Sequence, residues 1–459
     1  MRIGLLALAR PTFDLGLAEE KLAGMLARLD ATGHEILGSR DLLMDAAANR
    51  AALDALRAEA QDLVLVAQVT FTDAGFVAEV ARAVEAPLAI WAPREPRAGG
   101  RLRLNAFCGL NLASHALGLR RRAFGWLYAD PEAPRIEADL AALLAGARAV
   151  APIEGVSAAA EPLPEPILDG LRIARIGAAP DGFDTCRYDA AEVARRFGAE
   201  VEELELAELF ETARAADPAP VAALRAGIAA GLAGLDALDQ AELDRSLRLK
   251  LALDRIRARR DLDAFAIRCW PEAFTEYGGA VCGPVAMQGE ARVPCACEAD
   301  VWGALSQLAL QRIAAAPVFL VDLVDVDAED DSAVVWHCGQ APRSMAGAPA
   351  RATIHTNRRM PLLYEFPLRP GRVTFLRLSQ ARGAPKLVLA TGEMLDRPMA
   401  FAGTSGTLRF DAPARAVLPR VIDSGLEHHM ALAYGDHAAA LGRLAASFDL
   451  PVLNLVEQA

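Results

Sequence analysis

The sequence predicts two doubly wound α/β domains followed by a smaller antiparallel β domain. Over the first 317 residues, apolar strand-like segments alternate with amphipathic segments of helix length. Such alternation is typical of parallel sheets covered by helices on both faces. After Pro317 the chain changes to short β-rich runs separated by Gly, Pro and Asp turns, which favours antiparallel strands. At 459 residues the chain is also too long for one ordinary hydrophobic core.

The first domain is predicted over residues 1–165 as a Rossmann-like or flavodoxin-like sheet. Its strand candidates are residues 3–8, 34–37, 63–66, 88–91 and 124–127. Between them, residues 17–29 and 46–58 carry apolar side chains at helical spacing. Sheets of this kind bind ligands at the carboxyl ends of their strands. Neither G-x-G-x-x-G nor G-x-x-x-x-G-K follows the first strand, so nothing supports a nucleotide-binding loop.

The second and third domains follow a segment rich in Pro, Ala and Glu at 149–166, which predicts a linker. The second α/β domain, 166–317, has predicted strands at 171–176 and 264–269 and helices at 218–232, 240–260 and 301–314. The third, 318–459, has β runs at 318–324, 333–336, 352–355, 373–378, 386–389 and 407–410, then a helix near 436–448 and a strand at 451–455. We expect a small antiparallel barrel or sandwich there, with the acidic run 325–331 at a hairpin tip.

Composition and charge limit the classes of partner. The net charge of −12 argues against nucleic acid, because backbone phosphates require a basic surface. No apolar stretch reaches the roughly 20 residues that span a bilayer, and residues 3–8 are predicted as a strand, not a signal peptide. The odd number of cysteines, seven, fits reduced thiols better than a disulfide framework. We therefore expect a cytoplasmic protein without a membrane partner.

Three of the cysteines are also candidates for a metal site. Cys295 and Cys297 form C-x-C with Cys282 upstream. A zinc site would need a fourth clear ligand at finger-like spacing, which the sequence lacks. Structural thiols are the expectation, and a metal role is the alternative.

Glu276, Asp300, His337 and His429 are the candidate metal ligands. They lie in the segments T-E-Y-G-G (275–279), C-E-A-D (297–300), W-H-C-G (336–339) and E-H-H-M (427–430). Carboxylates with imidazole suit Mn²⁺, Mg²⁺ or Co²⁺ better than a metal that prefers thiolates. Because His428 and His429 are adjacent, they point in different directions on any regular backbone, and one of them is expected to face the site.

Taken singly, each candidate has a structural alternative. Asp300 opens a predicted helix and would serve as its N-cap. Glu276 would be a loop carboxylate in solvent. His337 ends an apolar strand, where a buried histidine without a ligand is common.

Longer segments around these residues resemble the L-fucose isomerase and L-arabinose isomerase superfamily. They are T-E-Y-G-G-A-V-C-G-P, V-P-C-A-C-E-A-D-V-W-G-A, V-V-W-H-C-G-Q-A-P and E-H-H-M-A-L-A-Y-G-D-H. The order of parts also matches, with two α/β domains followed by a β-barrel domain that carries a late histidine. Members of this superfamily bind a divalent metal, usually Mn²⁺, and interconvert aldoses and ketoses.

The resemblance implies a role for each candidate residue. Glu276 resembles the first metal carboxylate, Asp300 the second and His429 the late histidine ligand, while His337 resembles a ligand of the arabinose-type enzymes. The two carboxylates would move a proton between neighbouring carbons through an ene-diol, with the metal polarising the carbonyl. Trp336 and His428 are further candidates for contact with the sugar.

The segment G-L-N-L-A-S-H-A-L-G at 109–118 resembles a family segment whose histidine reaches the sugar of a neighbouring subunit. On that match His115, with Asn111 beside it, would contact substrate in trans, and the protein would be a homotrimer or a homohexamer. The alternative is that His115 sits on the polar face of a helix.

The resulting function hypothesis is a metal-dependent aldose–ketose isomerase for a monosaccharide or modified hexose of the fucose, arabinose or sulfoquinovose type. Arg343, Arg358 and Arg359 are candidates to meet an anionic substituent, although exposed arginines are common on such domains. The alternatives are a sugar-binding protein without catalysis and a metal-dependent aldolase or lyase on the same scaffold.

Overall fold

A computed structural model describes residues 1–457. Its first sheet has the strands β1 (Arg2–Leu8), β2 (Glu35–Leu37), β3 (Leu63–Gln68), β4 (Leu88–Ala92) and β5 (Phe124–Tyr128). The accompanying helices are α1 (Leu15–Ala31), α2 (Ala46–Arg57), α3 (Gly75–Ala83), α4 (Ala106–Leu119) and α5 (Ile136–Leu144). All pairs are parallel, in the flavodoxin-like order β2-β1-β3-β4-β5. The parallel α/β character predicted for this region is confirmed.

Local sequence explains these first elements. Asp14 caps α1, because its side chain accepts a hydrogen bond from the Leu17 N–H at 3.2 Å. The strands β1, β3 and β4 are buried on both faces, which requires continuous apolar runs such as L-V-L-V in β3.

The segment predicted as a linker contains a short strand, β6 (Val156–Ser157). The second sheet then has β7 (Arg172–Ile176), β8 (Glu200–Leu204), β9 (Ala264–Ile267) and β10 (Cys295–Ala296). Its helices are α6 (Ala190–Phe197), α7 (Leu206–Arg214), α8 (Pro218–Ala229), α9 (Gln240–Arg260), α10 (Cys282–Glu290) and α11 (Val301–Ala314). The strands are parallel in the order β10-β9-β7-β8. The second α/β region is therefore a parallel sheet, as expected.

The third sheet is larger and mixed. Its strands are β11 (Phe319–Asp327), β12 (Ser332–His337), β13 (Arg351–Thr353), β14 (Leu363–Pro367), β15 (Gly371–Ser379), β16 (Lys386–Met394), β17 (Thr404–Phe410), β18 (His429–Tyr434) and β19 (Pro451–Asn454). The helices here are α12 (Ala414–Asp423) and α13 (Ala438–Ser447). Antiparallel pairs join β17, β12, β11, β18, β15 and β16, and a further β16–β17 pairing closes them into a ring.

The expectation of a plain antiparallel barrel is wrong in part. Parallel pairs β14–β17 and β16–β19 extend the ring on both sides. Strand β19 in turn pairs with β6, so the 149–166 segment is more than a linker. The proline-rich composition gave no sign of this pairing, because the partner strand is distant in sequence.

Two features join the first sheet to the third. Helix α4 is buried along nearly its whole length, between the first sheet and β11. Asp325 on β11 is fully buried and accepts hydrogen bonds from Arg94, Arg97 and the Tyr128 hydroxyl. Asp325 is therefore an interior ion-pair partner, whereas residues 328–331 of the acidic run form the expected hairpin tip between β11 and β12. No helix within residues 1–457 is long and apolar enough to cross a bilayer.

Candidate active site

A cleft lies where the three sheets meet. Arg10 and Asn105 line it from the first region, Trp270 and Glu298 from the second, and Asp322, among others, from the third. Arg10 follows β1 and Glu298 follows β10, so both lie beyond the carboxyl ends of parallel strands. This is where open α/β sheets place their ligands.

Glu298 lines the cleft and is held there by two hydrogen-bond donors. It lies in the short turn after β10 with a left-handed backbone, φ 58°. Its Oε1 accepts from the Trp270 indole N–H at 3.0 Å, and its Oε2 accepts from His428 Nε2 at 2.9 Å. Burial opposes ionisation of Glu298, but the hydrogen bond and charge of His428 lower its pKa to about 2. Glu298 is therefore an ionised carboxylate facing the cleft.

Asp300 is fully buried behind the cleft and orients His429. Its Oδ1 caps α11 by accepting from the Gly303 N–H at 2.9 Å, and Arg377 binds both of its oxygens. A Cβ at Gly303 would lie 2.6 Å from Asp300 Oδ2, so the approach requires glycine. Burial opposes ionisation of Asp300, but Arg377 and His429 hold the pKa of its carboxyl below the usual range.

The orientation of His429 follows from that carboxylate. His429 Nδ1 lies 3.0 Å from Asp300 Oδ2, and since a carboxylate accepts, Nδ1 carries the proton. The lone pair on Nε2 then faces the cleft, 3.5 Å from Asp322 Oδ1 and 3.8 Å from Glu298 Oε2. A carboxylate that fixes the tautomer in this way is typical of histidines that bind metals.

Asp322 completes the cluster. It lies on β11 directly opposite His429 on β18. Its Oδ1 is buried and has no hydrogen-bond partner within residues 1–457. Buried carboxylate oxygens are normally satisfied, so an unpaired one beside an imidazole lone pair fits a cation ligand. His429 belongs to two groups of possible ligands, one with Asp322 and His337 and the other with Cys186, Glu298 and His428. Carboxylates and imidazoles of this kind suit a hard or borderline divalent cation.

His337 lies beside this cluster but presents a different atom. Its ring stacks on the His429 ring at 5.6 Å between centroids. Its Nδ1 accepts from the Cys338 backbone N–H at 2.9 Å, so the proton of the neutral ring lies on Nε2. That Nε2 is buried and has no partner among the described residues, and one ring nitrogen of His337 lies within 4.8 Å of ligand atoms of Asp322 and His429. His337 thus offers the cleft an N–H donor.

Of the predicted site residues, the structure brings Asp300, His337, His428 and His429 together. Glu276 is not with them. It lies in the π-helical turn Ala273–Tyr277, its side chain is exposed, and it joins no metal-capable group within residues 1–457. The neighbouring Tyr277 is buried and so turns Glu276 outward. The expectation that Glu276 binds the metal does not agree with this placement.

Sequence reasoning missed Glu298 and Asp322. Glu298 stands two residues before Asp300 in C-E-A-D, directly after a strand of a parallel sheet. Asp322 is a single carboxylate inside the otherwise apolar run F-L-V-D-L-V. A lone acid in a buried strand is costly unless it is paired or binds a cation, and that signal was available.

Asn111 and His115 lie inside the chain on α4. Asn111 Nδ2 donates to the Leu426 carbonyl at 2.8 Å, and His115 Nδ1 donates to the Gly425 carbonyl at 2.9 Å. Both therefore hold the loop that leads to His428. Because His115 has no exposed surface, the predicted contact with a neighbouring subunit's sugar does not agree with its position. The trimer or hexamer that was inferred from this segment stays a prediction.

Trp336 lines the cleft as predicted for a sugar contact. Its indole N–H donates to the Ala402 carbonyl at 2.8 Å, and its ring stacks on His337. Aromatic rings fixed in this way offer a flat apolar surface to a ligand.

The cysteines are all free, as expected for reduced thiols. Cys282 lies 3.6 Å from Cys338 between sulfur atoms, and His355 completes a group of possible ligands. However, His355 Nδ1 accepts from two backbone N–H groups, so its Nε2 carries the proton. The group therefore lacks a ready imidazole ligand for zinc.

Comparison with known proteins gives the family. The description "Fucose/sulfoquinovose isomerase, N-terminal domain" matches residues 4–154, and "L-fucose isomerase, C-terminal domain" matches residues 366–455. The sulfoquinovose isomerase of Alkalicoccus urumqiensis is 31% identical over 399 residues, which cover 86% of each chain. Those of Priestia megaterium and Clostridium sp. (strain MSTE9) are each 28% identical, over 95% of this chain and 96% and 95% of theirs.

One solved structure, the first ketoreductase of the tylosin PKS, matches 65% of this chain and 79% of its own at 17% identity. The TM-score of this match, 0.24, is too low to show a shared fold. The relatives and the two domain matches identify the family. The chain therefore belongs to the fucose/sulfoquinovose isomerase family of aldose–ketose isomerases.

Proposed function

We propose that this isomerase depends on a divalent cation, Mn²⁺ first among Mn²⁺, Mg²⁺ and Co²⁺, held by Glu298, Asp322 and His429. One observation carries the proposal. The buried Asp322 Oδ1 has no hydrogen-bond partner among the described residues and lies 3.5 Å from His429 Nε2, which in turn lies 3.8 Å from the ionised Glu298. A divalent cation beside His429 would satisfy that oxygen and balance the carboxylate charge.

A bound divalent cation supplies Lewis acidity that polarises the carbonyl of an open-chain sugar. The residues of the chain then move the protons. Asp322 takes the proton from C2 of the aldose and returns it to C1, through an ene-diol, while the hydroxyl proton passes from O2 to O1. We assign this role to Asp322 because both oxygens of Glu298 already accept hydrogen bonds. The His337 Nε2–H donates to the sugar oxygen on which negative charge develops.

The proposed substrate is sulfoquinovose, the sugar named for the relatives in three organisms. The test adds Mn²⁺ to metal-stripped protein with this sugar in D₂O and follows interconversion by NMR. Isomerisation through an ene-diol places deuterium on C1 or C2 of the product. Cleavage into smaller fragments would support the aldolase or lyase alternative instead, and binding without conversion would support a sugar-binding protein.

Glu298→Gln and Glu276→Gln form a matched pair for this experiment. We expect Glu298→Gln to abolish turnover and weaken Mn²⁺ binding, because an amide offers one neutral oxygen where the carboxylate offers a charge. Glu276→Gln should leave both unchanged, since its side chain is exposed outside the cleft. The reverse result, or full turnover in metal-stripped protein, would contradict the proposed site.

A further inference from the structure

Two arginines that line the cleft lie close to the same tryptophan, Trp270. The Arg10 guanidinium lies 5.6 Å from the Trp270 ring centroid, and the Arg358 guanidinium lies 5.8 Å from it. Arg10 also lies 5.2 Å from the Phe71 ring. Both distances to Trp270 are within the range of cation–π contacts, which hold a guanidinium at a fixed place.

The charges of this pair are incompletely balanced. Arg10 forms an ion pair with Asp73, 2.6 Å between Nη2 and Oδ2. Arg358 is half-buried, and no described carboxylate pairs with it. Burial and the nearby charge of Arg10 lower the pKa of Arg358, which is the mark of a cation without a counter-ion. Arg10, Asp73 and Arg358 together carry one net positive charge.

Trp270 connects this charge to the reacting end of the site. Its indole N–H donates to Glu298 Oε1, while both guanidiniums lie within 5.8 Å of its ring centroid. A ligand in the cleft that contacts Glu298 and the arginines therefore also contacts Trp270. Asn357 lines the same cleft, and its Oδ1 is buried without a partner among the described residues.

We propose that Arg10, Trp270 and Arg358 form a subsite for a singly charged oxyanion at the far carbon of the sugar, namely a sulfonate. This inference rests on the proposed function, since it assigns the other end of the same substrate. Guanidiniums bind tetrahedral oxyanions through paired N–H donors. One net positive charge matches a sulfonate better than a phosphate ester, which carries nearly two negative charges at neutral pH.

The structure also explains why one arginine of three takes this role. Arg358 and Arg359 are adjacent, but Arg359 has a left-handed backbone, φ 62°, and an exposed side chain. Arg343 lies against Gly231 near the end of α8 and does not line the cleft. Arg359 is therefore a matched control, with the same side chain one position away.

The experiment measures binding to metal-stripped protein by calorimetry, so that it does not depend on turnover. The probes are sulfoquinovose, the uncharged 6-deoxyglucose and glucose 6-phosphate, and the variants are Arg358→Gln, Arg358→Lys and Arg359→Gln. We expect Arg358→Gln to weaken sulfoquinovose binding about ten- to a hundredfold, the usual effect of losing a charged hydrogen bond. Binding of 6-deoxyglucose should not change, Arg358→Lys should recover part of the loss, and Arg359→Gln should bind like the parent protein.

The same variants are then compared in turnover of sulfoquinovose with Mn²⁺, where Arg358→Gln should raise KM more than it lowers kcat. Equal losses on the charged and uncharged sugars, or no loss at all, would overturn the subsite. Tighter binding of glucose 6-phosphate than of sulfoquinovose would overturn the assignment to a single charge. If no variant or parent turns over any sugar but the binding differences hold, the proposed reaction fails and the anion subsite stands.

Discussion

The buried pair of Asp300 and Arg377 gives the sharpest test of how His429 is positioned. In Asp300→Asn the helix cap is retained, because an asparagine oxygen also accepts from the Gly303 N–H. The amide cannot hold the His429 Nδ1 proton as a carboxylate does, so the imidazole is free to place its proton on Nε2. We expect Mn²⁺ affinity to fall roughly 10- to 100-fold, as for other groups that support a metal ligand.

The same change should weaken the fold even without metal. Arg377 is 1% exposed, and its guanidinium contacts both oxygens of Asp300. Removing one partner of a buried ion pair typically costs about 3–5 kcal/mol. The lower end applies here, because Glu427 lies 3.8 Å from Arg377 Nε and partly replaces the lost charge.

Two assays separate these effects. Mn²⁺ affinity is measured by electron paramagnetic resonance, and the free energy of unfolding of metal-stripped protein is measured in urea. Glu298→Gln is the comparison, since it should lose metal with a smaller loss of stability. If Asp300→Asn bound metal no better than Glu298→Gln while its metal-free stability stayed unchanged, Asp300 would be a direct ligand and the supporting role would be refuted.

Three further outcomes are expected. His429→Ala should weaken Mn²⁺ binding by more than the roughly 10- to 100-fold typical of a supporting residue. His337→Ala should lower kcat with a smaller change in Mn²⁺ affinity. If the two variants bound Mn²⁺ with equal affinity, His337 would also be a metal ligand. Burial raises the pKa of Glu95 to about 6, so between pH 4.5 and 6 the folded chain binds more protons than the unfolded one. Its free energy of unfolding should therefore fall by about 2 kcal/mol as pH rises through that window, and urea titrations of Glu95→Gln should lack this slope. Gly303→Ala should cost about 1–3 kcal/mol in urea unfolding, because its Cβ would meet Asp300; a neutral substitution would mean that this backbone can shift.

The parallel sheets could be predicted from sequence because their signal is local. Buried parallel strands need continuous apolar runs, and Asp14 marks the start of α1 as its N-cap. The closure of β16 on β17 and the docking of β6 on β19 could not be predicted. They depend on pairing between segments far apart in the chain, for which no periodicity exists.

The candidate site could likewise be predicted from sequence only where the signal is local. His429 and its neighbour were identifiable as a rare, concentrated residue type, and Asp300 was correctly placed near them. Asp300 and Glu276 were predicted as the pair that faces the substrate, whereas in the structure Asp300 is buried against Arg377 and Glu276 is exposed. Which of two nearby acids faces a cleft depends on the buried Arg377, 77 residues away from Asp300, and only packing in three dimensions decides that.

The pairing of β6 with β19 has a consequence for how the chain acquires its fold. Strand β6 is translated about 300 residues before the strand it joins, which at ribosomal speeds is a delay on the order of tens of seconds. During that interval Val156 and Ser157 have unpaired backbone groups, and the first sheet can form without them. We therefore expect backbone amide exchange at residues 156 and 157 to be fast in nascent chains and to slow after release, when the pairing with β19 forms. Contacts so distant in sequence also slow the final step of folding, since loop closure precedes any gain from pairing.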